Sequence, residues 1–204
     1  MTARVNRRYH SPERTARANE TRKEILEGAR RLFSARGYGR TTMEAVAAGA
    51  GVSVATVYLA FRTKLGLLSA LLADAAEDPR LDVQQVVAAK SAEQRAALGA
   101  RNIRELHERT SAITALLRAG VGNDARLEKL WEKWQAGHFA AVAQVARKIA
   151  ATGELRPDLN ADDAADVLYV LTGSETYRQL VIERGWSGAR YEEWLVDSMR
   201  RLLQ

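Results

Sequence analysis

Between Thr41 and Leu68 the chain reads TTMEAVAAGAGVSVATVYLAFRTKLGLL, a pattern that predicts two short helices around a tight turn. Apolar residues recur at helical spacing in both: Met43, Val46 and Ala47 in the first helix, then Val54, Val57, Tyr58 and Phe61 in the second. Gly51 permits the positive φ that ends the first helix, and Ser53 is a suitable N-cap for the second. Two helices joined at a glycine corner predict a helix-turn-helix, whose second helix enters the major groove of DNA.

Positive charge is concentrated in the first third of the chain. Residues 1–66 hold 13 Lys and Arg against 5 Asp and Glu, a balance of +8, whereas residues 67–204 hold 18 against 20, a balance of −2. A basic region that adjoins a helix-turn-helix predicts contacts with DNA phosphates. Taken alone, the basic segment could equally be a solvated tail.

The amino-acid composition excludes several other classes of fold and function. The 204 residues are 47% hydrophobic, with only three prolines, which favours an all-α fold with a sizeable core. The absence of cysteine excludes disulfides, thiolate zinc sites and cysteine nucleophiles. No apolar block follows the N-terminal arginines and no run reaches the length of a membrane span, so we expect a cytoplasmic protein without a membrane partner.

The pattern divides the chain into three regions. Residues 1–18 are Arg-rich and aperiodic, which predicts a flexible basic arm. Residues 19–66 form the helix-turn-helix domain, with a first helix capped by Asn19 or Thr21 and ended by Gly37. Residues 67–204 form a second helical domain, reached through a fourth helix that begins at Lys64.

The second domain is expected to bring the total to about nine helices. The pattern predicts a break or bend near Thr110 and Ser111, one helix from Asn160 to Gly185, and a last helix after Gly188.

Short motifs follow one another in a characteristic order across residues 20–72: Arg36-Gly37-Tyr38, Thr41-Thr42, Ala50-Gly51-Val52-Ser53, Thr56, Tyr58, Phe61 and Lys64. This order resembles that of the TetR family of bacterial transcriptional regulators. The resemblance implies a homodimeric repressor that binds double-stranded DNA at a near-palindromic operator and is released by an unidentified small molecule, with no cofactor. A ligand-independent architectural DNA-binding protein is the alternative, since it would share the same N-terminal domain.

The resemblance assigns DNA contacts to nine residues: Arg40, Thr42, Ser53, Val54, Ala55, Thr56, Tyr58, Arg62 and Lys64. Thr42 and Ser53 could be N-caps only, and Lys64 could be a surface lysine without a role. The chain departs from the family at Ala60, where a histidine or another polar residue is common, so one phosphate contact is missing. Base reading would then depend on Thr56, on Val54 or Ala55 against thymine methyl groups, and on the N-terminal arm.

The second domain carries two further expectations. The resemblance implies that its last two helices pair with their copies in a second subunit, through Leu168, Leu171, Leu180, Tyr191, Trp194 and Leu195. It also implies a small-molecule pocket, for which the candidates are Leu106, His107, Ile113, Leu117, Trp131, Trp134, His138, Phe139, Tyr169 and Tyr177, although aromatic stripes are more often core.

No pattern typical of enzymes is present: the sequence has no Gly-rich phosphate loop, no HExxH motif and no nucleophile elbow. Two histidines without nearby carboxylates also make a poor metal site. We therefore expect a regulator and not an enzyme, with no metal.

Overall fold

The computed structural model describes residues 12–77 and 81–204, whose regular secondary structure is all helical, with no strand. The all-α fold that the sequence predicts is confirmed. The described chain forms two compact units that divide between Leu71 and Leu72, slightly beyond the boundary expected after residue 66.

The N-terminal unit contains three helices and the start of a fourth: α1 (Pro12–Arg40), α2 (Met43–Ala50), α3 (Val54–Phe61) and α4 (Lys64–Ala76). The backbone of α1 leaves helical geometry at Gly37, with φ of 77°, at the residue where the sequence predicts the helix to end. The core of this unit is apolar and includes Ile25, Phe33, Val46, Val57, Leu67 and Leu68, each at most 1% exposed.

The start of α1 corrects the sequence prediction. The helix begins at Pro12, not at Asn19 or Thr21, so residues 12–18 are helical and do not belong to a flexible arm. Proline fits the first helical position because its missing N–H would be unsatisfied there anyway, and Glu13 complements the positive end of the helix dipole. The rest of the predicted arm, residues 1–11, lies outside the described residues.

The C-terminal unit contains six further helices and one π-helical segment: α5 (Val83–Val87), α6 (Ala92–Gly120), α7 (Ala125–Ala151), α8 (Ala161–Leu171), α9 (Ser174–Tyr177), the π-helical Arg178–Glu183, and α10 (Gly188–Leu203). Its main core joins α6, α7, α8 and α10 around Ala100, Ala146, Tyr191 and Leu195, none of which is exposed.

Two helix boundaries in this unit differ from the prediction. No break occurs near Thr110, since α6 runs without interruption from Ala92 to Gly120, and the Thr110 hydroxyl donates to the carbonyl of Leu106 one turn earlier, at 2.8 Å. The helix expected to run unbroken to Gly185 is interrupted after Leu171, where Thr172 caps α8 and Gly173 takes an extended conformation.

Candidate functional site

Helices α2 and α3 form the helix-turn-helix that the sequence predicts, bent by 109° to each other. This angle lies within the range of about 90–120° typical of the motif. Gly51 closes α2 in the left-handed conformation, with φ of 67°, and Val52 then donates its N–H to the carbonyl of Ala47 at 3.0 Å. Apart from this bent pair taken together, no described helix has the length and apolar content to cross a membrane.

Side-chain caps fix the first turn of both helices. The Thr42 hydroxyl accepts the N–H of Ala45 at 3.1 Å, and the Ser53 hydroxyl accepts the N–H of Thr56 at 3.1 Å. The hydroxyls of Ser53 and Thr56 are also within 2.8 Å of each other. The N-cap role considered for Thr42 and Ser53 is therefore present, and both side chains stay exposed.

Lys64 has a different environment from the one expected of a phosphate contact. Its ammonium donates to the carbonyl oxygens of Tyr38 at 2.8 Å, Thr41 at 3.1 Å and Gly39 at 3.4 Å, and it lies 4.3 Å from the centroid of the Tyr38 ring. Burial lowers the pKa of Lys64 below its usual value. Because an ammonium has three hydrogens, these carbonyls use all of its donors. Lys64 thus joins the end of α1 to the start of α4, and its assignment as a DNA contact stays a prediction.

The other predicted DNA contacts lie along α3 and its two flanks. Arg40, Thr42, Ser53, Ala55, Tyr58 and Arg62 are exposed, whereas Val54 and Thr56 are half-buried. Arg40 donates from Nε to the carbonyl of Arg36 at 3.0 Å, and Arg62 takes a positive φ of 61°, which is uncommon for a residue with a side chain.

The sequence reasoning did not include Leu59 among the site residues, although its side chain is 86% exposed. A signal for it was available, because Leu59 lies four residues after Ala55 and therefore on the same face of the helix.

In the C-terminal unit, two of the candidate pocket residues are histidines that contact the same residue, Thr172. His107 donates from Nε2 to the Thr172 carbonyl at 2.9 Å, since a carbonyl can only accept, and His138 Nε2 lies 2.8 Å from the Thr172 hydroxyl. Burial is the main cause that lowers the pKa of each histidine to about 4. Both imidazoles are therefore neutral at pH 7. The second ring nitrogen of His107, Nδ1, is buried without a partner.

Aromatic rings surround this histidine pair. The His107 ring centroid lies 5.0 Å from that of Tyr177, and the Tyr169 centroid lies 5.3 Å from that of His138 and 5.7 Å from that of Phe139. The Tyr169 hydroxyl accepts from Gln135 at 2.6 Å. Of the remaining candidates, Leu106, Trp131 and Trp134 are half-buried, and Ile113 and Leu117 are core residues.

A surface cavity of about 520 Å³ lies elsewhere in this unit, between α6 and α10. Its charged lining includes Arg104, whose guanidinium donates to Glu192 at 2.6 Å and to Glu108 at 2.8 Å, so that the pKa of Arg104 is raised. None of the ten predicted pocket residues lines it. Within the described residues, no group of three potential metal ligands occurs.

Most of the predicted dimer-interface residues are in the interior of the protomer. Leu168, Leu171, Tyr191 and Leu195 are 3%, 9%, 0% and 0% exposed, so they belong to the core and cannot form a contact surface. The wide apolar faces that suggested an interface are covered by α6 and α7 instead. The other two, Leu180 and Trp194, are half-buried at the edge of this core.

Comparison with known proteins supports the sequence resemblance. Residues 25–71 match the model of the "bacterial regulatory proteins, tetR family". The HTH-type transcriptional regulator TtgR of Pseudomonas putida is 46% identical over 55 residues, which cover 27% of this chain and 26% of that protein. The uncharacterised HTH-type regulator TtgW of the same species is 39% identical over 67 residues, 33% of this chain and 50% of that protein. The match thus spans between about a quarter and a half of the length of these relatives.

Solved structures share the fold over nearly the whole chain. A TetR-family transcriptional regulator from Rhodococcus sp. has a TM-score of 0.75 at 22% identity, covering 91% of this chain and 100% of its own. The SmeT–triclosan complex has a TM-score of 0.75 at 20% identity, covering 91% and 92%. The regulator FadR of Bacillus subtilis, in complex with stearoyl-CoA, has a TM-score of 0.74 at 16% identity, covering 89% and 99%.

Fold and motif together define an all-α protein with an N-terminal helix-turn-helix. Residues 25–71 are similar to the N-terminal region of the TetR family, and the whole chain shares the fold of solved TetR-family structures.

Proposed function

We propose that the chain is a DNA-binding transcriptional regulator that acts as a repressor in the cytoplasm. The observation that carries this proposal is the capped helix-turn-helix bent by 109°, with the outer face of α3 exposed, inside the segment that matches the family. The net charge of +8 in residues 1–66 adds the attraction for phosphates that duplex binding requires. The curated relatives are regulators, which favours this function over an enzymatic one.

The predicted contact residues in and around α3 have separate roles in this proposal. The hydroxyls of Thr42, Ser53 and Tyr58, together with the free amides at the starts of α2 and α3, bind phosphates on either side of the groove. The guanidinium groups of Arg40 and Arg62 add charge at the two edges. Thr56 and Ala55 face the base edges, with Val54 at the margin, and Lys64 holds the unit together without contacting DNA.

A twofold dimer would place two copies of α3 in successive major grooves, so the operator should be near-palindromic. The surface of the last helices suits such a pairing, because it exposes Val170 (67%), Ile182 (60%) and Leu202 (43%) beside the half-buried Leu180 and Trp194. We therefore propose that the exposed Val170, Ile182 and Leu202 form the dimer interface, in place of the buried residues predicted from the sequence. Ile182→Glu should convert the dimer into a monomer in sedimentation experiments.

The C-terminal unit is proposed to bind the effector beside the histidine and tyrosine cluster. Neutral imidazoles and aromatic rings favour an apolar molecule with a hydrogen-bonding group, since a charged one would lose its hydration without gaining a counter-charge. Triclosan is a suitable probe, because it is bound in the structure of SmeT. Stearoyl-CoA, which is bound by FadR, carries a charged head group and serves as the contrasting probe, which should bind more weakly at this cluster.

Fluorescence anisotropy with a labelled duplex from upstream of the chain's own gene tests DNA binding. Affinity should fall steeply with salt, and Arg62→Gln should reduce the slope of log affinity against log salt by about one for each phosphate that the guanidinium neutralises. Arg147→Gln removes an exposed charge from α7 and should leave both affinity and slope unchanged. Failure of the parent chain to bind any duplex in a salt-sensitive way would contradict the proposal.

Effector release is tested with the same duplex. All four tryptophans of the chain lie between residues 131 and 194, so their fluorescence reports binding to the C-terminal unit. A probe that changes this fluorescence should also lower the affinity for the operator. If bound probes leave the operator affinity unchanged, the ligand-independent architectural protein becomes the better interpretation.

A further inference from the structure

The recognition helix α3 lacks the side chains that usually identify bases by paired hydrogen bonds. Its sequence, VATVYLAF, contains no Arg, Lys, Asn or Gln, the residues that bind guanine or adenine in a bidentate way in the major groove. Thr56 and Tyr58 are its only hydrogen-bonding side chains. The Thr56 hydroxyl already lies 2.8 Å from that of Ser53 in the helix cap. Hydrogen bonding from this helix can therefore specify few bases.

The exposed face of α3 is instead apolar. Leu59 is 86% exposed, the largest exposed fraction among the large hydrophobic side chains described in the chain. Ala55 lies one helical turn before it on the same face and is also exposed, whereas Val57 and Phe61 on the opposite face are 0% and 6% exposed. A leucine that is 86% exposed leaves apolar surface in water, and burial of that surface against a partner is favourable.

The major groove offers one apolar group to such a face. Thymine carries a C5 methyl group at the base edge, while adenine, guanine and cytosine present donors and acceptors there. A leucine and an alanine one turn apart match methyl groups on neighbouring base pairs and cannot satisfy polar base edges.

We propose that α3 recognises its operator mainly through thymine methyl groups, which contact Leu59 and Ala55. This inference rests on the proposed DNA-binding function and specifies how that function chooses its sequence. Leu59 is then a specificity-determining residue, with Tyr58 and Arg62 beside it on the phosphates.

Replacement of thymine by uracil tests the proposal, because it removes only the C5 methyl group. An operator is first selected with the full-length chain from a random duplex library, and each thymine of the half-site is then replaced singly by deoxyuridine. At one or more positions the affinity of the parent chain should fall about fourfold, the ratio that corresponds to one buried methyl-sized group at 25 °C.

Leu59→Ala supplies the decisive comparison, since the side chain is exposed and its loss leaves the core intact. This variant should bind the thymine operator more weakly and should lose the preference for thymine over uracil at the position that Leu59 contacts. Val121→Ala, a matched truncation of an exposed side chain in the C-terminal unit, should keep the parent preference.

Three results would overturn the inference. They are equal affinity of the parent chain for thymine and uracil at every position, an unchanged preference in Leu59→Ala, and a selected half-site without thymine. In each of these cases salt-sensitive duplex binding would persist, so the proposed function would stand. Loss of all duplex binding by the parent chain would instead overturn both.

Discussion

The two units of the molecule differ in where their polar side chains lie. In the described part of the N-terminal unit the buried side chains are apolar except for Thr41, whose hydroxyl donates to the carbonyl of Gly37 at 2.8 Å. The described part of the C-terminal unit buries six polar or charged residues: Arg95, Asn102, His107, Thr110, Thr114 and Thr172. The first unit thus keeps almost all of its described polar side chains at the surface, whereas the second also encloses several.

This difference matches the partners that we propose for each unit. Duplex DNA has the same outer shape for every regulator, so a surface that binds it can be shared among relatives, and residues 25–71 are indeed the part that matches the family. A small effector would differ from one regulator to another, and we propose that the interior of the C-terminal unit binds it. The solved structures that share the whole fold are only 16–22% identical to this chain in the three cases compared above.

Mild acid should destabilise the C-terminal unit, and this is the largest effect that we expect. His107 and His138 have pKa values of about 4 in the folded chain against a usual value of 6.5, so the unfolded chain binds protons preferentially between these limits. The free energy of unfolding is therefore unaffected above pH 6.5 and falls as the pH drops below it. The loss should be about 1.4 kcal/mol per pH unit for each histidine.

Urea unfolding followed by tryptophan fluorescence at pH 7, 6 and 5 measures this loss, because the tryptophans all lie in the C-terminal unit. His107→Gln and His138→Gln should each remove part of the pH dependence, whatever they do to the stability at pH 7. A free energy of unfolding that stays constant from pH 7 to pH 5 would show that the buried imidazoles are not the distinguishing feature of this unit.

A methyl group added at Gly66 should disturb the N-terminal unit more than the same change disturbs an open helix position. A Cβ atom at Gly66 would lie 2.3 Å from the carbonyl oxygen of Phe61, a backbone atom that cannot turn aside. We expect Gly66→Ala to destabilise the unit by about 1–3 kcal/mol, and to weaken DNA binding by moving the end of α3.

Gly137→Ala is the matched control in the C-terminal unit, because a Cβ atom there meets nothing within 4 Å. It should be neutral or stabilise α7 by about 0.5–1 kcal/mol. Hydrogen exchange measured on individual peptides reports the stability of each unit separately. Equal protection in Gly66→Ala and the parent chain would mean that the junction of α3 and α4 can relax.

Substitution of Lys64 tests whether this residue of the N-terminal unit stabilises the fold or contacts DNA. Removal of its hydrogen bonds in Lys64→Met should lower the free energy of unfolding of this unit by about 2 kcal/mol, since three backbone carbonyls lose their donor. The slope of log affinity for DNA against log salt should not change if, as we propose, Lys64 neutralises no phosphate. A slope reduced by about one, as expected for Arg62→Gln, would show that Lys64 contacts a DNA phosphate.

The sequence predicted the N-terminal unit well because its signals are local. A glycine at the end of α2, a serine at the start of α3 and apolar residues at helical spacing suffice to define the helix-turn-helix. One boundary there was wrong, since the early start of α1 was signalled by Pro12 and Glu13. The hydrogen bonds of the Lys64 ammonium could not be predicted, because they depend on carbonyls 23 to 26 residues earlier in the chain.

In the C-terminal unit the decisive contacts are distant in sequence, and periodicity could not identify them. His107 and Thr172 are 65 residues apart, and neither residue type alone indicates that they meet. The apolar face around Leu168 and Leu195 was visible in the sequence. Whether another helix of the same chain or a second subunit covers it depends on packing, and here helices of the same chain bury it.

Removal of one N-cap side chain in each unit gives the smallest expected loss of stability, and it allows the two units to be compared directly. Ser53 accepts one backbone N–H at the start of α3, and Asn160 accepts those of Asp162 and Asp163, both at 2.9 Å, at the start of α8. Ser53→Ala and Asn160→Ala should each cost about 1 kcal/mol of stability. Only Ser53→Ala should weaken DNA binding, because only its cap lies on the proposed interface.

Ser53→Asp separates the cap from the contact, since aspartate is a good N-cap and its charge repels phosphate. It should restore the stability lost in Ser53→Ala and bind DNA even more weakly than that variant, in the same anisotropy and urea experiments. If Ser53→Asp instead recovers the parent affinity together with the stability, Ser53 acts on DNA only by capping α3. The surface role argued for the N-terminal unit would then rest on the residues that follow it in the helix.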